Sequence, residues 1–196
     1  MTLRPLGVGS QILAHGDIVA GFYGEVTGII TADELRALAG VTQGTAMQTG
    51  DITWLKFSSN YKTLYIAKQP IQHSISWDYL HERDLVFGKM IEIGNYVYLL
   101  RLMQGANISP ANTSGGYNNE WDNLIVKSHT TGEWGLYSDA DLNVNPIRTI
   151  VQEVSSQSTE QRIMRGYTIS HFGRGGSSDS FNYVAWRPVL ELLYEK

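Results

Sequence analysis

The side chains with the widest chemical range in this sequence are five histidines: His15, His73, His81, His129 and His171. A neutral imidazole serves as a general base or a metal ligand near neutral pH. Two such ligands on one helix face stand three or four residues apart, and no two of these histidines have that spacing. Each therefore reads as a surface or hydrogen-bonded residue. His171 follows Ser170, yet a nucleophile and its base are defined by contact in space, not by adjacency in the chain. The run Asp139-Ala-Asp141-Leu-Asn143-Val-Asn145 alternates oxygen-bearing side chains in the manner of a calcium loop. It fails that pattern at the sixth position, where Val144 replaces the required glycine, and at the twelfth, where Ile150 replaces glutamate. A solvated face of charges is the better reading, and no metal ligand is assigned.

Acid–base chemistry on a glycoside needs a pair of carboxylates. Asp78, Glu82, Glu120 and Asp122 are available, but no two form a recognisable pair, and each reads as a helix-end or surface charge. Gly173-Arg174-Gly175-Gly176 lacks the spacing and the strand-to-helix setting of a phosphate loop. Asn112-Thr113-Ser114 matches a glycosylation sequon, which matters only in a secreted eukaryotic chain. The opening residues have no apolar signal core. Zero cysteines exclude disulfides, zinc–thiolate centres and thiol nucleophiles. No catalytic residue and no cofactor is assigned.

Aromatic side chains remain. The tryptophans Trp54, Trp77, Trp121, Trp134 and Trp186 read first as fillers of a core with few helices, and second as a sugar-stacking platform. Tyr117, Tyr137 and Tyr167 stand beside Gly, Ser and Asn, as in adaptable binding loops. The candidate binding residues are Tyr117, Trp134, Tyr137 and Arg174, with the loops 106–119 and 173–180 as the surface.

Three zones must position these groups. Residues 1–51 are punctuated by Gly7, Gly9, Gly16, Gly21, Gly24 and Gly28, which suits extended segments and turns. One helix is signalled there, with Thr31 as cap, Glu34 at capping-box spacing and Gly40 as stop. Thr53–Phe57 and Thr63–Ala67 read as a hairpin, and Ser76 caps a short helix over Trp77–Arg83. Lys89–Ile93 and Tyr96–Met103 flank Gly94-Asn95, a hairpin turn. The second of these runs is too apolar to alternate and reads as a strand covered on both faces. Glu120–Lys127 gives one or two helical turns. Ser155–Glu160 and Gly173–Ser180 read as loops, and Ile163–Ser170 and Tyr183–Tyr194 as closing strands.

Composition limits the partners. The 196 residues carry a net charge of −4, so a general polyanion partner such as nucleic acid is not expected. No apolar run has the ~20 residues of a membrane helix. Charged residues make up 17% of the chain, low against the roughly 25% of ordinary soluble domains. A poorly charged, glycine-rich surface suits burial against other subunits.

Tyr98–Gly105 (YLLRLMQG), Asn119–Ile125 (NEWDNLI) and Trp186–Leu190 (WRPVL) followed by Glu191 form a recognisable series. The series resembles a module of virion and prophage-encoded proteins with a strand ending in RLLTG, an EWD–LI helix and a closing GFRPVLE strand. With Arg165-Gly166 and Arg174-Gly175-Gly176, the closing strand is similar to the C-type-lectin-like fold of the formylglycine-generating family. Here Ala185-Trp186 replaces the usual Gly-Phe. The enzymatic members of that family need a cysteine pair, so the resemblance implies the fold without the oxidase activity. Phe22–Val26, Trp54–Phe57, Leu64–Lys68 and Ser74–Trp77 also resemble segments of large-phage virion proteins.

The expected fold is α+β: an antiparallel β-rich body with short helices over residues 52–196, C-type-lectin-like mainly over 89–196. An extended N-terminal arm over residues 1–51 precedes it. The resemblance implies a non-enzymatic structural component of a tailed-bacteriophage particle, located in the tail, baseplate or collar. The expected partners are other virion proteins and further copies of the chain. The alternatives are a receptor- or carbohydrate-binding module of a tail tip or fibre, which would meet a host surface glycan, and a capsid decoration protein.

Overall fold

The computed structural model describes residues 7–109 and 118–196. It is a β-rich α+β fold built from two sheets and a few short helices. The larger sheet contains β1 (His15–Gly16), β2 (Ala20–Val26), β4 (Trp54–Ser59), β5 (Lys62–Ala67), β7 (Lys89–Ile93), β8 (Tyr96–Arg101) and β13 (Val189–Glu195). Its order is β1-β2-β4-β5-β13-β8-β7, antiparallel throughout. The smaller sheet contains β3 (Thr45–Ala46), β6 (Gln72–His73), β9 (Arg148–Ser155), β10 (Ser158–Gly166), β11 (Thr168–Gly176) and β12 (Val184–Trp186). Its order is β11-β10-β9-β12-β6-β3, and only the β12–β9 pair is parallel.

Side chains of a strand alternate between faces, so a strand buried on both faces feeds two cores. Trp54, Tyr65, Tyr98 and Leu190 enter one apolar cluster, together with α1 (Ala32–Ala39) and α2 (Trp77–His81). Leu55, Phe57, Leu64, Ile66 and Val189 enter the other, with Trp121, Leu124 and Ile125 of the π-helix Trp121–Val126. Every residue of β4 is buried. The apolar run at Tyr96–Arg101 forms β8, largely buried on both faces, as its lack of alternation implies.

Local signals decide the helices. Thr31 Oγ1 accepts from the Glu34 N–H, and the Glu34 carboxylate accepts from the Thr31 N–H, which closes a capping box. Gly40 stops α1 at φ 76°, a conformation that other residues adopt at a cost. Ser76 caps α2 as the sequence predicts.

Residues 15–51 differ from an extended arm. β2 runs the length of β4, with Phe22 opposite Phe57 and Val26 opposite Trp54. Leu35 and Ala39 of α1 are fully buried, and Thr31 bridges to Asp51. The glycines that suggest a weakly ordered segment instead sit where turns and close strand approach need them. Gly16 has φ 72°, and a Cβ there would lie 2.1 Å from the Ala20 carbonyl oxygen. A boundary at residue 51 therefore cuts through a continuous sheet and core.

The third zone carries more strand than its polarity suggests. Residues 158–160 and 173–176, read as loop from their Ser and Gly content, extend β10 and β11. Asp139–Leu142 forms α3, a single helical turn. Asp141 serves as a cap group, accepting from the Ser138 N–H and hydroxyl. Among the described residues no helix is long and apolar enough to cross a membrane.

Candidate functional site

Polar residues of Tyr98–Gly105, Asn119–Ile125 and Trp186–Glu191 meet in buried ion pairs. Arg101, at the end of β8, meets Glu120 with two parallel hydrogen bonds of 2.8 and 2.6 Å. Its Nε donates to Glu191 of β13 at 3.0 Å, and Lys62 of β5 reaches the other Glu191 oxygen at 2.8 Å. The Glu120 carboxylate also accepts the Gln104 N–H. Two residues on, Asp122 meets Arg165 of β10 with bonds of 2.7 and 3.0 Å. Trp121 is fully buried between these acids, donates to the Ile169 carbonyl, and has the Arg165 and Arg187 guanidinium groups near its ring. Arg187 has no carboxylate partner among the described residues. It donates to the carbonyls of Ala67, Lys68 and Leu142. Burial lowers its pKa to about 9, which leaves it charged at neutral pH.

Charge in this network is matched locally, with Arg101 and Lys62 against Glu120 and Glu191, and Arg165 against Asp122. Bidentate guanidinium–carboxylate pairs are among the strongest hydrogen-bonded ion pairs. Here they tie β8, β13, β5, β10 and the π-helix together. Their chemistry is that of a lock, since each acid already accepts from a cation. An open cleft of about 220 Å³ runs beside the network, with Asn60, Phe87, Gln104 and Gln152 on its walls. Among the described residues no three His, Asp or Glu side chains are grouped to hold a metal ion.

The candidate binding residues separate. Tyr117 lies outside the described residues, as does most of the loop 106–119. Trp134 and Tyr137 are core residues, 8% and 9% exposed. Their rings pack on Phe22, and Trp134 also lies against His15 and Phe57. Burial pushes the Tyr137 phenol above its usual value, and the Glu25 carboxylate beside it adds to the effect. Arg174 sits on β11 of the other sheet, against the Phe172 ring. Trp134 and Tyr137 thus share one cluster, and Arg174 stands apart from it.

A second electrostatic feature lies under the N-terminal residues. Lys56 of β4 is fully buried and donates to the Ser10 carbonyl at 2.9 Å. Its ammonium stands 5.9 Å from the Tyr23 ring centre and 5.8 Å from that of Tyr65, while the Tyr65 hydroxyl donates to the Val8 carbonyl. Burial pushes the Lys56 ammonium down to about 8 and the Tyr65 phenol up.

A cluster of exposed aromatic residues lies elsewhere, around Arg148 at the start of β9. Its guanidinium carbon is 5.6 Å from the Tyr167 ring centre and 5.5 Å from that of Tyr183. Phe181 stacks on Tyr183 at 5.2 Å and 14°. Tyr167 and Phe181 are each 49% exposed, and Tyr183 is 37% exposed. The backbones below are fixed. Arg148 pairs with Gly166 and with Val184, and its N–H donates to the Tyr183 carbonyl at 2.7 Å. Tyr167 occupies φ 77°, a strained conformation for an aromatic residue, held by bonds from its N–H to the Val144 and Ile147 carbonyls. The sequence places Tyr167 within the strand 163–170, and the structure instead puts it in the turn between β10 and β11. Arg148, Phe181 and Tyr183 carried no periodic signal, because the parallel β12–β9 pairing that joins them is a long-range contact.

No protein-family model, no curated protein and no solved structure matches this chain.

Proposed function

We propose that this protein is a non-enzymatic structural component of a tailed-bacteriophage particle, in its tail, baseplate or collar, with a C-type-lectin-like body. It assembles with other virion proteins and with further copies of itself through the surface of its N-terminal segment. The observation that carries this reading is the apolar edge of the larger sheet. Ile12 and Leu13, before β1, are 79% and 37% exposed, and Val19 and Tyr61, in the turns next to β2 and β4, are exposed as well. This is not a frayed end, because the Ala14 N–H donates to the Phe22 carbonyl and the Asn60 and Tyr61 N–H groups donate to Val19 and Ile18. Ordered, exposed apolar side chains on the segments that flank the edge strand β1 suit association with another chain.

The test is incorporation. The double variant Ile12→Asp, Val19→Asp is expected to fold normally and to be missing from purified particles, read by mass spectrometry. Normal incorporation overturns the proposal.

A second reading is a receptor- or carbohydrate-binding module of a tail tip or fibre. The exposed aromatic surface around Arg148 favours it. In either case the expected location is the virion.

A further inference from the structure

We infer that the surface formed by Arg148, Tyr167, Phe181 and Tyr183 is a binding site for a carboxylate-bearing saccharide. The inference rests on the second reading above and goes further in naming the site and the ligand class. Four observations carry it.

First, Arg148 has no ion pair and no side-chain hydrogen bond among the described residues, and its Nε is shielded from solvent without a partner. Arg101 and Arg165, by contrast, are each saturated by carboxylates or carbonyls. A guanidinium presents a fork of donors matched to a planar carboxylate. Second, that fork is flanked by the rings of Tyr167 and Tyr183. Aromatic faces pack against the C–H faces of a pyranose and give contact area at little entropic cost. The stacked Phe181–Tyr183 pair widens the platform to more than one ring. Third, the site is preformed. Arg148, Gly166 and Val184 share one ladder row, and a Cβ at Gly166 would meet the Ile147 carbonyl oxygen at 2.5 Å. A rigid platform reduces the ordering cost of binding. Fourth, Tyr167 keeps a strained backbone to hold an exposed ring beside Arg148. Strain of that kind concentrates at functional sites.

The geometry also decides against a neutral sugar as the preferred ligand. A neutral saccharide would leave the Arg148 donors without a charged acceptor. An acidic peptide would supply carboxylates, but it lacks the flat C–H faces that match three exposed rings.

The experiment is isothermal titration of the full chain with tetragalacturonate, with maltotetraose as the neutral control and tetraglutamate as the acidic peptide control. Binding of tetragalacturonate is expected, with at least tenfold weaker binding of both controls. Arg148→Gln and Tyr183→Ala are each expected to weaken it at least tenfold while leaving the thermal transition in place. Arg148→Lys is expected to recover only part of the loss, because an ammonium cannot match the bidentate geometry. Preference for maltotetraose overturns the acidic-ligand inference and leaves the carbohydrate reading standing. Preference for tetraglutamate, or equal binding by the Arg148→Gln variant, overturns the site. No binding of any of the three, with none on a broad glycan array, overturns both this inference and the second reading.

Discussion

Arg101 and Glu120 face each other edge to edge, with Nη1 2.8 Å from Oε2 and Nη2 2.6 Å from Oε1, and both side chains are almost fully buried. Arg101 also neutralises Glu191. Replacing Arg101 with Met would leave both acids short of their shared cation. Breaking a buried pair from one side costs about 3–5 kcal/mol. Arg101→Met is expected to lose that much in urea unfolding, and a loss below about 1 kcal/mol would show that the network is dispensable.

Trp134 stands among Phe22, Phe57 and His15. Its removal opens a cavity in the core, which costs about 3–5 kcal/mol for large aromatics. Trp134→Ala is expected to lower stability by that amount, measured by denaturant titration. Where it remains folded, its saccharide affinity should equal that of the parent chain.

Lys56 links stability to pH. Its folded pKa, about 8, lies below its usual 10.5, so the folded state releases the proton first. The cost of burying the charge is present below pH 8 and is relieved as pH rises through that value. Stability is expected to rise by at most about 2 kcal/mol between pH 7.5 and 9.5. Tyr65 and Tyr98, whose pKa values burial raises, reverse the trend once unfolded phenols ionise above about pH 10. Urea unfolding across this range should show the rise, and Lys56→Met should flatten it.

Tyr167→Asn tests the strain. Asn tolerates positive φ better than an aromatic residue, and relief of such strain is worth on the order of 1 kcal/mol or more. That gain offsets the lost packing against Arg148 and His171. The expected result is a midpoint within a few degrees of the parent, with weakened saccharide binding. A large fall in midpoint would mean that Tyr167 is a packing residue.

Removal of residues 1–45 would take away β1, β2 and α1. Phe57 and Trp54 would lose their partners across the β2–β4 ladder, and the core would lose Leu35 and Ala39. The truncated chain is expected to lack a cooperative unfolding transition by calorimetry. A cooperative transition near the parent midpoint would restore the arm as a separate unit.

Much of this architecture was legible from short-range patterns. The capping box at Thr31–Glu34, the Gly40 stop, the Ser76 cap and the hairpin turn at Gly94-Asn95 are local, so a few adjacent residues suffice to specify them. The doubly buried β8 followed from its unbroken apolar run. Burial of a particular aromatic did not follow. Trp134 and Phe181 both sit beside polar and glycine residues, yet one is in the core and the other half exposed, because β2 and β4 cover only the first. The same limit applied to the glycines of residues 7–28, which suit an arm and a tightly paired edge equally well until the pairing partner is known. Sequence alone determined the β-rich class, the helix ends and the lack of thiol chemistry. Tertiary structure decided that Arg101, Glu120 and Glu191 meet in buried ion pairs, and that Arg148 comes to lie among Tyr167, Phe181 and Tyr183. The reason is contact distance: the β9–β12 ladder pairs Arg148 with Val184, the neighbour of Tyr183, and no local pattern encodes which strands become neighbours.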